Sequence, residues 1–334
     1  MEFNKIYPGE ALEVLKSWPD KVIDCVMTSP PYWSQRDYGV GTTIIWDGDT
    51  ECKHEWDETK TTFTHGGSAT AQVHKGKSLK KYSIDMTSVC KKCNAWMGQL
   101  GQEPTPDLFI KHLCDIFDEV KRTLKDTGTC FVNIGDTYKN SNKLMIPSKF
   151  AIEMQSRGWI LRNEIIWHKT SSIPESVTNR FTNDYENIYF FTKEPKDYYF
   201  EQYKIPTRES SKQRSKYGAK KRNPITSKGF NSNEAMGERS APTKGKNMRS
   251  IWNVKVGAYR STEHIAKYSV ALCKVPIMTG CPEDGVVLDP FIGSGTTGAA
   301  ALQLGRKYVG IEINQDYINM AEKRIKDIKD YLHI

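Results

Sequence analysis

Apolar residues recur at helical spacing in GEALEVLKSWPD, near the start of the chain, and the run that follows, VIDCVM, is short, continuous and apolar. That pair predicts a helix and then a buried strand. The strand leads into a proline-rich loop, TSPPYW. From about Trp46 to Trp96 the chain turns polar and rich in Gly, Thr and Lys, and reads as an insertion with little core of its own. Thr105 stands as an N-cap before a run, TPDLFIKHLCDIFDEVKRTL, whose apolar positions share one helical face. GTCFVNIGDTY reads as another buried strand, SKFAIEMQSRG as a helix, and WILRNEIIWHK and ENIYFFTK as two further strands that are candidates to pair. Hydrophobic periodicity almost vanishes between Tyr203 and Arg249. It returns with IWNV, a helix around HIAKYSVALCKVPIMTG, and a unit, VVLDPFIGSGTTGAAALQLGRKYVGIEI, that reads strand, glycine-rich loop, helix, strand. An amphipathic helix, INQDYINMAEKRIKDIKDYL, follows. Strands alternating with helices predict an α/β fold around a mostly parallel sheet.

A length of 334 residues allows a sizeable core, in one large domain or two smaller ones. No apolar run is long enough to cross a bilayer, and the opening MEFNKIYPGE lacks the apolar centre of a signal peptide. A cytoplasmic protein with no membrane partner is expected, so the eight cysteines read as reduced thiols or metal ligands rather than a disulfide framework. Nothing in the sequence marks an oligomeric state.

Charge changes the picture only through its distribution. Between Lys204 and Arg249 there are thirteen Lys and Arg against three Glu, a local balance of +10 that exceeds the +8 of the whole chain. A polyanion-binding element attached to a roughly neutral body is expected.

Two loops carry candidate chemistry. In DPFIGSGTT, Gly293 and Gly295 let the backbone turn sharply and approach a ligand, and Glu312 closes the next strand where a carboxylate suits the two hydroxyls of a ribose. The loop lacks the Lys-Ser/Thr ending of a phosphate-binding loop, so a nucleoside is the expected ligand. In TSPPYW, Pro31 offers no N–H, which leaves the Pro30 carbonyl as a fixed acceptor beside the Ser29 hydroxyl. Two acceptors held together take both hydrogens of an amino group and turn its lone pair towards an electrophile. Tyr32 supplies a face on which a base can stack after leaving the duplex.

TSPPYW followed much later by DPFIGSGTT resembles the amino-methyltransferases of DNA in their permuted, beta arrangement. The resemblance implies a Rossmann-like methyltransferase fold, a mostly parallel twisted sheet with helices on both faces, and S-adenosyl-L-methionine as methyl donor. It implies that Asp289, Pro290, Phe291, Gly293, Ser294, Gly295, Thr296 and Glu312 bind the cofactor, joined by His264 and Asp136. Ser29, Pro30, Pro31 and Tyr32 would hold the target amine, with Trp33 behind them. HIAKYS is similar to a family segment that usually reads His-Pro-Ala, with Ile265 in the proline's place. Ser before Pro-Pro-Tyr is typical of members that act on cytosine N4, and Asp there of adenine N6, so cytosine in double-stranded DNA is the expected target. The resemblance also implies a cognate restriction endonuclease as a potential partner. The rival readings are an adenine-N6 DNA methyltransferase of the same fold, an RNA or protein amide methyltransferase, and a sequence-specific DNA-binding protein with a vestigial cofactor site.

The divisions that follow are a catalytic half at residues 1–45 and 99–202, a polar insertion at 46–98, a basic target-recognition region at 203–250, and a cofactor-binding half at 251–334. Within the insertion, Cys52, His54, Cys90 and Cys93 form C-x-H and C-x-x-C pairs whose soft donors suit a closed tetrahedral zinc site. His65 and His74 read as solvent-exposed, and Cys25, Cys114, Cys130 and Cys273 as core residues.

Overall fold

The structure, a computed structural model, describes residues 1–35, 42–61, 84–172, 175–206, 245–256 and 269–333. The chain divides into two units, Gln202–Arg249 and the remainder. Among its described residues the smaller unit has one antiparallel pair, Lys204–Ile205 with Lys246–Asn247. Most of the basic segment, at 207–244, lies outside the described residues, as do His65, His74, His264 and Ile265.

The larger unit is built on an eight-stranded sheet. In chain order its strands are β1 (Lys5–Pro8), β2 (Ile23–Thr28), β3 (Leu124–Ile134), β4 (Ile160–Lys169), β5 (Tyr185–Thr192), β6 (Ile251–Val254), β7 (Val286–Asp289) and β8 (Lys307–Glu312). They lie in the order β1-β8-β7-β2-β3-β5-β4-β6, and only β5 runs against the others. The expected neighbours β4 and β5 pair antiparallel, from Ile160 opposite Thr192 to His168 opposite Tyr185. The edge strand β1 is four residues of mixed character, too short to carry a periodic signal.

Each residue of β2 is buried, which requires cover on both faces of the sheet. One cover comes from α1 (Ala11–Lys16), α2 (Pro106–Thr123) and α3 (Ile146–Ser156). Thr105 caps α2 by accepting from the Leu108 amide at 3.2 Å, Pro106 opens its first turn, and Phe109, Leu113, Ile116, Phe117 and Val120 form its buried face. Those residues share a core with Cys130, Val132 and Ile134 of β3. The alternate residues Thr129 and Phe131 point the other way, towards α4 (Val270–Gly280). Gly280 there has no room for a Cβ against them, and its carbonyl accepts from the Thr129 hydroxyl at 2.8 Å. Two further helices among the described residues are α5 (Thr296–Gln303), between β7 and β8, and α6 (Gln315–Leu332).

The polar insertion forms a four-stranded antiparallel sheet, in the order Ile44–Trp46, Trp96–Gly98, Ile84–Cys90, Trp56–Thr61. Its large buried side chains, Trp46 and Trp96, stack on His112 of α2 with ring centroids 4.6 and 5.5 Å away. The insertion therefore uses the core of the main unit, which explains how so polar a segment orders.

β7 and β2 are parallel neighbours, with Leu288 opposite Val26. From β7 the chain proceeds to β8 on one side, and from β2 to β3 on the other. Their carboxyl ends thus form the point where the strand order reverses, which is where open α/β sheets bind ligands.

Candidate active site

Both sequence-predicted loops leave the sheet at that reversal. The loop after β7 is organised by Asp289, a carboxylate only 1% exposed. It accepts from the Thr28 hydroxyl and the Thr297 hydroxyl, each at 2.6 Å, and from the Phe291 amide at 3.0 Å. Hydrogen bonds to a buried charge are worth about 1.5–3 kcal/mol each, so this residue both shapes the loop and ties it to β2. Asp289 acts here by holding the loop, with no exposed edge to offer a ligand.

Gly293 and Gly295 have φ of 50° and 80°, a left-handed backbone that side chains rarely adopt. A Cβ on Gly295 would also meet Ala321 at 3.0 Å, so glycine there lets α6 approach the start of α5. Pro290 and Ser294 are buried, and the Thr296 hydroxyl accepts from Arg324 at 2.6 Å. Phe291 and Gly293 remain half-buried beside Glu312. The Glu312 carboxylate accepts the Gly293 amide at 3.0 Å and the Asn314 amide at 2.9 Å, one on each oxygen. Burial outweighs these donors and pushes its carboxyl up to about 7. A carboxylate has about four acceptor positions, so Glu312 fits a ligand that brings hydroxyl donors, as a ribose does.

The loop after β2 is held by side chains from three other strands. The Ser29 hydroxyl donates to the Tyr32 hydroxyl at 3.2 Å, and Tyr32 donates to Glu186 at 2.8 Å. Asn133 donates at 2.8 Å to both the Tyr32 oxygen and Glu186, and lies 3.4 Å from the Ser29 oxygen. Lys169 pairs with the other Glu186 oxygen at 2.5 Å. The Asn133 carbonyl oxygen is buried and makes no hydrogen bond among the described residues. Ser29 and Tyr32 are half-buried, while Pro30 and Trp33 are buried. Trp33 donates its indole N–H to the Glu103 carbonyl at 2.9 Å. Gly135 has no room for a Cβ beside the Tyr32 ring. The arrangement places a hydroxyl acceptor in a chain that ends on a lysine-paired carboxylate, a route along which a proton can move.

Asn133, Lys169 and Glu186 were not singled out in the sequence. Asn133 had a readable signal, a lone amide in the apolar run CFVNI. Lys169 and Glu186 stand at the ends of paired strands, and only the β4–β5 register reveals their meeting. Asp136 lies just past β3, where its carboxylate accepts the Thr137 and Ile146 amides at 2.9 and 3.0 Å. It thereby fixes the start of α3, while its backbone carbonyl accepts from Gln35 of the Ser29–Tyr32 loop at 3.2 Å. Cys25, Cys114, Cys130 and Cys273 are buried, as read from their apolar surroundings.

The DNA methylase family profile matches residues 23–323. Among curated proteins, the type II methyltransferase M.SmaI of Serratia marcescens is 29% identical over 96% of this chain and 90% of its own length. M.HinfI of Haemophilus influenzae is 28% identical over 98% of this chain and 69% of its own. Among solved structures, the PvuII DNA methyltransferase, titled cytosine-N4-specific, superposes with a TM-score of 0.57 at 16% identity, covering 100% of this chain and 92% of that one. The M1.HpyAVI–SAM complex gives 0.53 at 16% identity, covering 96% and 98%. With a match spanning both loops and nearly all of the sheet, the chain belongs to the N6/N4 family of DNA methylases.

Proposed function

We propose that this protein transfers a methyl group from S-adenosyl-L-methionine to the exocyclic N4 amine of cytosine in double-stranded DNA. The observation that carries the reading is the meeting of TSPPYW and DPFIGSGTT, far apart in sequence, on the neighbouring strands β2 and β7, joined by the Thr28–Asp289 hydrogen bond. When bound, the cofactor supplies an electrophilic methyl on a positively charged sulfur, which leaves as a neutral thioether. Glu312 accepts the ribose hydroxyls, and the glycine-rich turn lets the backbone lie close to the nucleoside. Phe291 and Gly293 line the same side, with Pro290, Ser294 and Thr296 shaping the turn.

On the other side Tyr32 stacks the flipped base, and the Ser29 oxygen and the Pro30 carbonyl accept the two amino hydrogens. Nitrogen gains the methyl and a positive charge, then loses one proton to water, Ser29 being too weak a base to keep it. Positioning supplies most of the acceleration, since the two reacting atoms must be close and aligned. Ser29, a neutral hydroxyl in place of a carboxylate, supports cytosine over adenine, and the cytosine-N4 title of the PvuII neighbour points the same way.

The Lys and Arg of residues 203–250 neutralise DNA phosphates, giving salt-dependent affinity without choosing a sequence. The type II names of the relatives support a modification enzyme whose partner is an endonuclease acting on the same site. Single-molecule sequencing of DNA from cells expressing the protein tests the proposal. N4-methylcytosine at one short recurring sequence is expected. N6-methyladenine would overturn the base assignment, and unmodified DNA would move the search to RNA or protein amides.

A further inference from the structure

Four soft donors converge at the far end of the inserted sheet, outside the methyl-transfer site. Cys52 and His54 precede the strand Trp56–Thr61, and Cys90 and Cys93 bracket the turn that leaves the strand Ile84–Cys90. The ligand atoms of all four lie within 4.8 Å of one another. The Cys52 and Cys90 sulfurs are 3.9 Å apart, and the Cys93 sulfur is 3.4 Å from His54 Nδ1.

These lengths discriminate between occupants. A disulfide needs sulfurs about 2.0 Å apart, so Cys52 and Cys90 are not bonded. A tetrahedron with metal–sulfur bonds of about 2.3 Å and metal–nitrogen bonds of about 2.0 Å has edges of roughly 3.8 Å between sulfurs and roughly 3.5 Å between sulfur and nitrogen. Both observed separations fall close to those edges, which fits a single ion rather than a multi-metal cluster.

The backbone is arranged to the same end. Asn94, at a φ of 61°, reverses the chain after Cys93, and its amide donates to the Cys90 carbonyl at 2.9 Å. The Cys90 amide donates to the Ala95 carbonyl at 2.8 Å, which closes the turn. The Lys92 amide points at the Cys90 sulfur at 3.4 Å, the donor a metal-bound thiolate accepts. Gly48, at a φ of 81°, leaves no space for a Cβ, which would meet the Cys93 sulfur at 2.9 Å.

We propose that Cys52, His54, Cys90 and Cys93 bind one structural zinc ion. With four protein ligands the site has no open position for chemistry, so the metal's work is to hold the inserted sheet. That sheet matters to the enzyme because of what lies behind it. Trp46 and Trp96 stack on His112, whose ring nitrogens lie 3.2 Å from Glu103 and 3.1 Å from Asp47. Glu103 in turn accepts the Gly101 amide at 2.8 Å and the Trp33 indole at 2.9 Å, and the Gly101 carbonyl accepts the Ser34 amide at 2.7 Å. The metal-held sheet thus backs the loop that carries Ser29 and Tyr32.

The test is metal analysis of the full-length protein purified without chelator, followed by cobalt exchange. About one zinc per chain is expected, with visible cobalt bands of a tetrahedral thiolate site after exchange. Cys93→Ser should reduce bound zinc at least tenfold. Should that variant fail to fold, the wild-type protein still decides: its three site thiols should resist a thiol reagent until zinc is removed. Metal-free protein with those thiols freely reactive, or protein holding iron instead of zinc, would overturn the assignment. None of these readouts depends on methylation.

Discussion

The two loops that meet at the β7–β2 boundary are held by opposite means. The loop after β7 is closed mostly by its own stretch of chain: Asp289 reaches Phe291 and Thr297, and Glu312 returns from the next strand to the Gly293 amide. The loop after β2 takes its shape from distant residues. Tyr32 is held by Asn133 and Glu186, which are 101 and 154 positions away, and Trp33 by Glu103, 70 away. The outside ties of the loop after β7 run to β2, from Thr28 to Asp289 and from Thr297 to the Met27 carbonyl. A loop held from three strands can be retuned by a substitution in any of them, which suits the side proposed to receive the base.

The sharpest way to break this comparison is to remove the target-side acceptor. Ser29→Ala should lower kcat by about 10²–10³-fold, in the range for loss of one hydrogen-bonding group in a water-excluded site. Affinity for S-adenosylmethionine should stay within about twofold, because that loop is closed without Ser29. Single-turnover methylation and calorimetry measure the two separately; a parallel fall in both would contradict the division.

A remote support should act through the same side only. Glu186→Gln keeps the shape but removes the charge beside Tyr32 and Lys169, and kcat should fall by roughly 10²-fold, the low end of the range for proton-transfer assistance. Cofactor affinity should again be unchanged. If KM for DNA rose with kcat unaltered, Glu186 would serve binding alone.

On the cofactor side, Gly295→Ala places a Cβ at a positive φ and against Ala321. Unfolding in denaturant should show a loss of about 1–3 kcal/mol, accompanied by weaker cofactor binding. A neutral result would mean that the turn is less constrained than its geometry implies.

The smallest effect is a pH dependence. The Glu312 carboxyl titrates at about 7 because burial favours its neutral form, while ribose hydroxyls donate to the charged form. Binding therefore releases a proton, and affinity for S-adenosylmethionine should rise about tenfold from pH ~6 to ~8. Glu312→Gln should flatten the slope. A slope of the opposite sign would remove Glu312 from the ribose contact.

The same contrast explains what was legible in the sequence. Gly293, Gly295 and Glu312 sit in one strand–loop–helix–strand run, so the spacing itself carries the geometry. The Pro30–Pro31 pair likewise fixes its own backbone. Lys169 and Glu186 give no local sign, because neither is unusual at a strand end and their contact follows from the β4–β5 register. The insertion is too polar to build a core of its own, and His112, buried within α2, supplies what its composition does not reveal.

The most direct test of the central claim is nucleoside analysis of unmethylated DNA after incubation with purified protein and isotopically labelled S-adenosylmethionine. N4-methyldeoxycytidine carrying the label, formed about 10²–10³-fold more slowly by Ser29→Ala although that variant still binds cofactor and DNA, is the predicted result. Label in N6-methyldeoxyadenosine would contradict the reading of Ser29, and equal labelling by the Ser29→Ala protein would contradict the placement of the reaction between the two loops.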